Sequence, residues 1–306
     1  MTHDSERAFL ERDEAASAAE DQTGTPDWSY YERRIQRVTE YLHAHLDQPL
    51  NLDQLAEIAC LSRFHWHRIY RAIQGETVAQ TLKRARINKA GFELADGVLP
   101  LPQIARRCGY PNVRSFSRAF KDIYGISPGE YRRNAGGIRT PTNQPREMEN
   151  DDMHPVEIRE LEPNTVAGLE HKGSYQAVAE TFEKLAGLAA ARGLFASMKG
   201  MVGIYFDDPM VTPEAELRAV AGLVLDDEKL AADPLKPFTL EGGRHAVLTF
   251  TGPYSGLPAA YDWLYSVWLR EHNHILREAP PFESYLNTPR DVPVGDLKTE
   301  ICVPIR

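Results

Sequence analysis

The chain has 306 residues, 42% hydrophobic and 26% charged, with a formal net charge of −9, a composition that excludes a single small helical domain and fits two globular ones. No apolar run approaches the ~20 residues that span a bilayer, and Asp4, Glu6, Arg7, Glu11, Arg12 and Asp13 interrupt any signal-peptide core, so a cytoplasmic protein without membrane contact is expected. Three scattered cysteines, Cys60, Cys108 and Cys302, exclude a disulfide framework and a zinc site.

Residues 1–27 are rich in Ala, Glu and Asp, end in the breaker cluster Thr23-Gly24-Thr25-Pro26, and read as an acidic tail. Ile35, Val38, Tyr41, Leu42 and Leu46 at helical spacing predict a helix over about 30–45, ended by Pro49. Asn51 offers an N-cap for a helix over 52–60, Ser62 for one over 63–74, and Gly75 follows as a stop. A connecting helix runs from about Val78 to Asp96. Pro102 then starts a helix, Gly109 lies in a turn, and a last helix spans 113–124 before Gly125. Cys60 and Cys108 fall where these helices should face the core. Gly136-Gly137, Pro141 and Pro145 mark 135–153 as a linker.

Within this half the text repeats. Leu55, Ala56 and Cys60, then Arg68, Tyr70 and Gly75, return as Ile104, Ala105 and Gly109, then Arg118, Phe120 and Gly125. The offset is 49 before the turn and 50 after it (55 to 104, 68 to 118), so the second turn holds one extra residue. Two helix-turn-helix units joined by a helix are built to enter successive major grooves of one double-stranded DNA. The charge agrees: residues 31–146 hold 19 Lys/Arg against 10 Asp/Glu, whereas 1–30 hold 2 against 8 and 147–306 hold 14 against 26.

The solvent-facing side chains of the second helix of each unit are the candidate DNA contacts. They are Phe64, His67, Arg68 and Arg71 in the first, and Arg114, Ser117, Arg118 and Lys121 in the second. Arg chelates guanine O6 and N7, Ser bonds several bases, and Phe64 suits a thymine methyl. Each equally suits a phosphate or an acid of its own domain. His65 and His67, two apart, point to different faces and share no metal, while Trp66 and Ile69 belong to a core.

The C-terminal half carries a second duplication. Gly173-Ser-Tyr175 opens a helical stretch with Val178, Phe182 and Leu185 and leads to Tyr205-Phe-Asp207-Asp-Pro209. Gly252-Pro-Tyr254 opens another, with Tyr261, Leu264, Val267 and Trp268, and leads to Tyr285-Leu-Asn287-Thr-Pro289. Strand-like text precedes each copy (156–161 and 165–170; 238–241 and 245–250) and follows it (217–225; 298–304). Two such copies should pair about a pseudo-two-fold axis with a ligand cleft between them. Strand alternation puts Glu283 on one face with Tyr285 and apart from Phe282. A carboxylate among Tyr175, Tyr205, Tyr254, Trp263 and Trp268 would balance a ligand cation, each ring face adding about 0.5–2 kcal/mol. Core packing is the plainer role for Trp263 and Trp268. Glu300 is a second candidate acid, or a structural one.

Residues 30–133 resemble the AraC/XylS family DNA-binding domain. The resemblance rests on Leu101-Pro-Gln-Ile-Ala-Arg-Arg-Cys-Gly-Tyr, Ser115-Phe-Ser-Arg-Ala-Phe-Lys, Gly125-Ile-Ser-Pro128 and Tyr131-Arg132. It implies recognition helices over 62–74 and 113–124, with Phe64, His67 and Arg68, then Val113, Arg114, Ser117 and Arg118, at base-reading places. Val113 departs from the polar residue often found there. Residues 154–306 resemble the GyrI-like effector-binding domain in Ala260-Tyr-Asp-Trp-Leu-Tyr265, Pro281-Phe-Glu-Ser-Tyr285-Leu-Asn-Thr-Pro289 and Thr299-Glu-Ile301 with Pro304. That resemblance implies an aromatic pocket with an acid at its floor, often accepting cationic or planar amphipathic compounds.

The expectation is a multidomain chain: an all-α tandem helix-turn-helix DNA-binding domain over 28–134, then an α+β duplicated (βαββ)2 GyrI-like ligand-binding domain over 154–306. Its expected function is ligand-responsive, sequence-specific regulation of transcription, with double-stranded DNA and a small-molecule effector as partners. RNA polymerase and a second copy of the chain are further partners the architecture allows. No metal or cofactor is expected. The rival from another class is a hydrolase using Glu283 and Glu300 as acid and base; no nucleophile–base–orienter set supports it, and a non-enzyme is expected.

Overall fold

The computed structural model describes residues 28–133, 154–225 and 233–306; the acidic tail and the linker expected at 135–153 lie outside them. The described residues fall into two units, one of 28–31, 61–72 and 154–306, the other of 32–60 and 73–133.

Among the described residues, the helices before the sheet are α1 (Ser29–Ala44), α2 (Leu52–Ala59), α3 (Trp66–Gln74), α4 (Val78–Ala95), α5 (Leu101–Arg107), α6 (Val113–Tyr124) and α7 (Pro128–Arg133). Local chemistry sets their ends. Asn51 and Asn112 cap α2 and α6 by accepting the Gln54 and Ser115 N–H groups at 3.2 and 2.8 Å. Thr77 and Gln80 form a reciprocal capping box on α4. The two turns both use the left-handed region, at Cys60 (φ 46) and Gly109 (φ 74). A side chain on Gly109 would also stand 2.6 Å from the Leu46 carbonyl oxygen, so the second turn admits only glycine at the place Cys60 holds in the first.

Two expectations are corrected here. Cys60 is exposed, because a left-handed residue ending a helix turns its side chain off the helix face. Helix α3 starts at Trp66, since the Ser62 carbonyl takes the His65 and Trp66 N–H groups and Ser62 Oγ the Phe64 N–H, making 62–65 a turn.

The core of the second unit joins α4 to α5, α6 and α7 through Ile87, Ala90, Leu94, Ile104, Cys108, Phe116, Phe120 and Tyr131. Phe120 stacks on Tyr124 at 4.6 Å and meets Tyr131 edge-on at 5.3 Å.

In the first unit, β1 (Val156–Leu161), β2 (Asn164–Lys172), α8 (Val178–Arg192), β3 (Met198–Tyr205) and β4 (Arg218–Leu225) are answered by β5 (Lys236–Leu240), β6 (Gly243–Thr251), α9 (Leu257–Trp263), β7 (Phe282–Tyr285) and β8 (Lys298–Pro304). Helix α9 continues through a π-helical turn, Leu264–Trp268, to Glu271. One antiparallel sheet results, in the order β1-β6-β8-β7-β3-β4-β2-β5. The order reads the same from either end when each strand is exchanged for its repeat partner, so the pseudo-two-fold passes between β3 and β7. The leading strands are swapped: β1 pairs with β6, and β5 with β2. Alternation divides the sheet. Ala167, Ala221, Leu223 and Leu225 pack on Leu185 and Ala189 of α8, while Val166, Val202, Ile204, Val220, Val247, Phe282 and Cys302 build a cluster on the other side.

Candidate functional site

The pseudo-dyad runs through one residue pair. Gly203 of β3 stands opposite Glu283 of β7, and the repeat offset of 80 (203 to 283, 205 to 285) makes the two equivalent. Tyrosines follow the same symmetry. Tyr175 meets Tyr205 edge-on at 4.9 Å, and Tyr254 meets Tyr285 edge-on at 5.6 Å. The Tyr205 and Tyr285 hydroxyls touch across the axis at 2.8 Å, and Tyr285 donates to Glu283 Oε2 at 2.8 Å. With the Tyr285 proton committed to the carboxylate, Tyr205 is the donor in the first bond. A Cβ on residue 203 would lie 2.7 Å from both tyrosine side chains. Glycine in one copy thus makes the space that is filled by the carboxylate of the other copy and one phenol from each.

Glu283 is 5% exposed, and its carboxyl is pushed up to about 7. Burial is the main cause; hydrogen bonding from Tyr285, the Tyr261 phenol and the charge of Arg68 pull the other way. Tyr261, buried on α9, lies close to the carboxylate, yet its hydroxyl has no partner in ordinary hydrogen-bond geometry. Burial raises Tyr205 and Tyr285 well above the usual phenol range, so both stay neutral donors. The Tyr175 hydroxyl is tied to the backbone of Asp207 and Arg218, whereas Tyr254 is exposed.

The remaining acid and indoles lie apart from this group. Glu300 neighbours Ile301, the β8 partner of Glu283, and therefore projects from the opposite face of the sheet, where it pairs with Arg159 at 2.8 Å. Trp263 packs edge-on to His154 at 5.5 Å. Trp268 stacks on His272 and His274 at 4.5 and 5.3 Å. Neither indole contact includes a residue of the Glu283 group.

The two candidate reading helices differ. On α6, Arg114, Arg118 and Lys121 are exposed, Ser117 is half-buried, and Val113 leans on the unit's core. Arg114 and Arg118 make no ion pair among the described residues. On α3 the expectation of solvent-facing side chains is corrected. Arg68 is 6% exposed, with its guanidinium 4.9 Å from the Tyr261 ring centre and 5.6 Å from that of Tyr265. Burial opposes its charge, but Tyr265, Asp208 and Tyr261 more than offset this and raise its pKa. His67 is half-buried and lowered to about 4, chiefly by burial, and its Nε2 has no hydrogen-bond partner. Phe64 lies 6.2 Å from Phe206, and Arg71 pairs with Asp262. Trp66 and Ile69 are buried as expected. Helical periodicity gave the face of α3 but not what covers it: residues 61–72 pack with 154–306.

The GyrI-like small molecule binding domain family matches residues 154–306, and a helix-turn-helix domain family matches 55–134. Regulatory protein SoxS of Salmonella typhimurium is 30% identical over 102 residues, 33% of this chain and 95% of SoxS. The chain is an AraC-type regulator with a GyrI-like domain. The right origin-binding protein of Escherichia coli K12 is 33% identical to this regulator over 105 residues, 33% of the chain and 36% of that protein. Among solved structures, the C-terminal domain of AraT, a response regulator from Geobacillus stearothermophilus, is 29% identical over 39% of the chain and 96% of its own, with a TM-score of 0.32.

Within the GyrI-like domain, single-residue reasoning missed Gly203, Tyr261 and Asp208. The signal for Gly203 was present in the repeat offset, which pairs it with Glu283. Asp208 is buried at 5% exposure, its Oδ1 accepting the Met210 N–H at 2.9 Å, and only the folded chain brings its charge to bear on His67 and Arg68.

Proposed function

We propose that this AraC-type regulator senses a planar or amphipathic organic cation at the Glu283 and tyrosine group of its GyrI-like domain, and that occupancy changes how α3 and α6 engage DNA. One observation carries the reading: a buried carboxylate on the pseudo-dyad, walled by tyrosines and held near neutral titration. A carboxylate of that kind gains a counter-charge from a cation, and the ring faces add attraction to it. Neutral ligands receive only the apolar part.

The DNA contacts proposed are Arg114, Ser117, Arg118, Lys121 and Val113 on α6, with His67, Arg68 and Arg71 on α3 and Phe64 in the turn before it once that helix is available. Glu283 and Glu300 project from opposite faces of the sheet, which favours a binding role over acid–base hydrolysis. Among the described residues no helix is long and apolar enough to cross a membrane, and we place the regulator's action in the cytoplasm.

The test is a titration of full-length protein with matched cationic and neutral aromatic compounds. Glu283→Gln should weaken the cations about tenfold or more and leave the neutral set within about twofold. An unchanged cation-to-neutral ratio removes Glu283 from the site. Product formation seen by mass spectrometry would replace sensing with catalysis.

A further inference from the structure

Arg68 and Arg118 occupy equivalent places in the helix-turn-helix repeat, yet Arg118 is exposed and Arg68 is enclosed. The enclosure is built from several contacts. Tyr261 and Tyr265 face the guanidinium, and Asp208 supplies a buried negative charge. Arg68 Nη1 donates to the Phe64 carbonyl at 2.9 Å, which holds the side chain against its own helix turn.

His65 latches the same turn. Its Nδ1 lies 2.8 Å from Tyr265 Oη and its Nε2 2.8 Å from the Ala279 carbonyl. A carbonyl only accepts, so Nε2 carries the proton and Nδ1 accepts from the phenol. His65 is 1% exposed and is held neutral by burial, its pKa lowered to about 3. Arg71 with Asp262 and Phe64 with Phe206 close the two ends.

Tyr261 joins this enclosure to the Glu283 group. One side of the ring meets Arg68, and its hydroxyl lies close to Glu283, whose carboxylate also feels the Arg68 charge. The cage around Arg68 therefore offers what a cation-binding cleft offers a ligand: two phenol rings and nearby carboxylates.

We propose that Arg68 is a built-in occupant of the effector site, keeping the first DNA-reading helix out of use until a ligand bearing a planar delocalised cation, of the amidinium or guanidinium class, takes its place. The inference rests on the reading of the cleft as an effector site. One guanidinium cannot contact a base edge and fill a tyrosine cage at once. Ligand and DNA are then coupled with positive sign, because both bind the state in which Arg68 has left the cage.

The probe is p-aminobenzamidine, titrated by its fluorescence into the full chain. Arg68→Met removes the competitor and should tighten probe binding about tenfold, the factor by which a mostly closed site taxes an incoming ligand. Asp262→Asn loosens the Arg71 pair without touching the tyrosines and should tighten it about threefold; it guards against misfolding of the Met variant. In a second arm, anisotropy follows a duplex selected from random sequence in the presence of the probe. The probe should raise the DNA affinity of the natural chain about tenfold and that of Asp262→Asn by less.

Probe binding that is lost in Glu283→Gln but unchanged in both Arg68→Met and Asp262→Asn overturns internal occupancy while the cleft reading stands. No probe binding to any form at millimolar concentration overturns both. A probe that weakens DNA binding reverses the sign and overturns the proposal.

Discussion

Gly203 and Glu283 face each other across the β3–β7 ladder at positions the internal repeat makes equivalent, so the symmetry axis of the domain passes between a missing side chain and a buried acid. Duplication alone would place two identical residues there. Divergence at this one pair turns a symmetric sheet into a site with a floor, and the surrounding tyrosines keep their symmetric places.

Gly203→Ala should therefore be costly out of proportion to one methyl group. The added Cβ would sit 2.7 Å from the Tyr205 ring and from the Tyr285 hydroxyl, and the Tyr205–Tyr285–Glu283 chain must open to admit it. Urea unfolding is expected to show a loss of about 1–3 kcal/mol, with cation affinity falling in parallel. A variant as stable as the natural chain would show that the site yields freely.

Glu283 sets a pH signature. Burial holds its folded pKa at about 7, above the ordinary carboxylate value of 4.5. The group therefore contributes fully below about pH 4.5, and that contribution is lost as pH rises through 7. Over this window the natural chain should lose on the order of 3 kcal/mol relative to Glu283→Gln. Denaturation midpoints of the two proteins, compared at pH 4 and 8 (chosen to bracket the titration), measure the difference; parallel profiles would contradict it.

Cation binding should run in the opposite direction with pH. Ionised Glu283 is the form that attracts a cation, so affinity is expected to rise as pH passes about 7, while Glu283→Gln stays flat. Calorimetric titration at several pH values gives the slope, and a flat profile in the natural chain would assign the attraction elsewhere.

Arg118 is exposed on α6 and free of ion pairs among the described residues. Arg118→Ala should cost about 1–3 kcal/mol on a selected DNA site with unchanged thermal stability. Equal loss on random DNA would make it a phosphate contact.

Asn112 holds the start of the same helix by accepting the Ser115 N–H at 2.8 Å. Asn112→Ala should destabilise the helical unit by about 1 kcal/mol and weaken DNA binding modestly through fraying of the first turn, visible as faster amide exchange at 113–116. Unaltered exchange there would show that the core, not the cap, fixes the helix end.

The order of elements, both duplications, the helix cap at Asn51, and the shared face of Glu283 and Tyr285 were determined by the sequence itself. These depend on short-range rules: a period of 3.6 or 2, a side chain reaching three residues along, a glycine at a left-handed turn. Exchange of β1 and β5 between the repeats, the dyad through Gly203 and Glu283, the separate surroundings of Glu300, Trp263 and Trp268, and the enclosure of Arg68 were decided only by tertiary structure. Periodicity says which residues share a face, but what covers that face is settled by contacts between segments hundreds of residues apart, such as His65 with Tyr265, and no local pattern encodes such a partner.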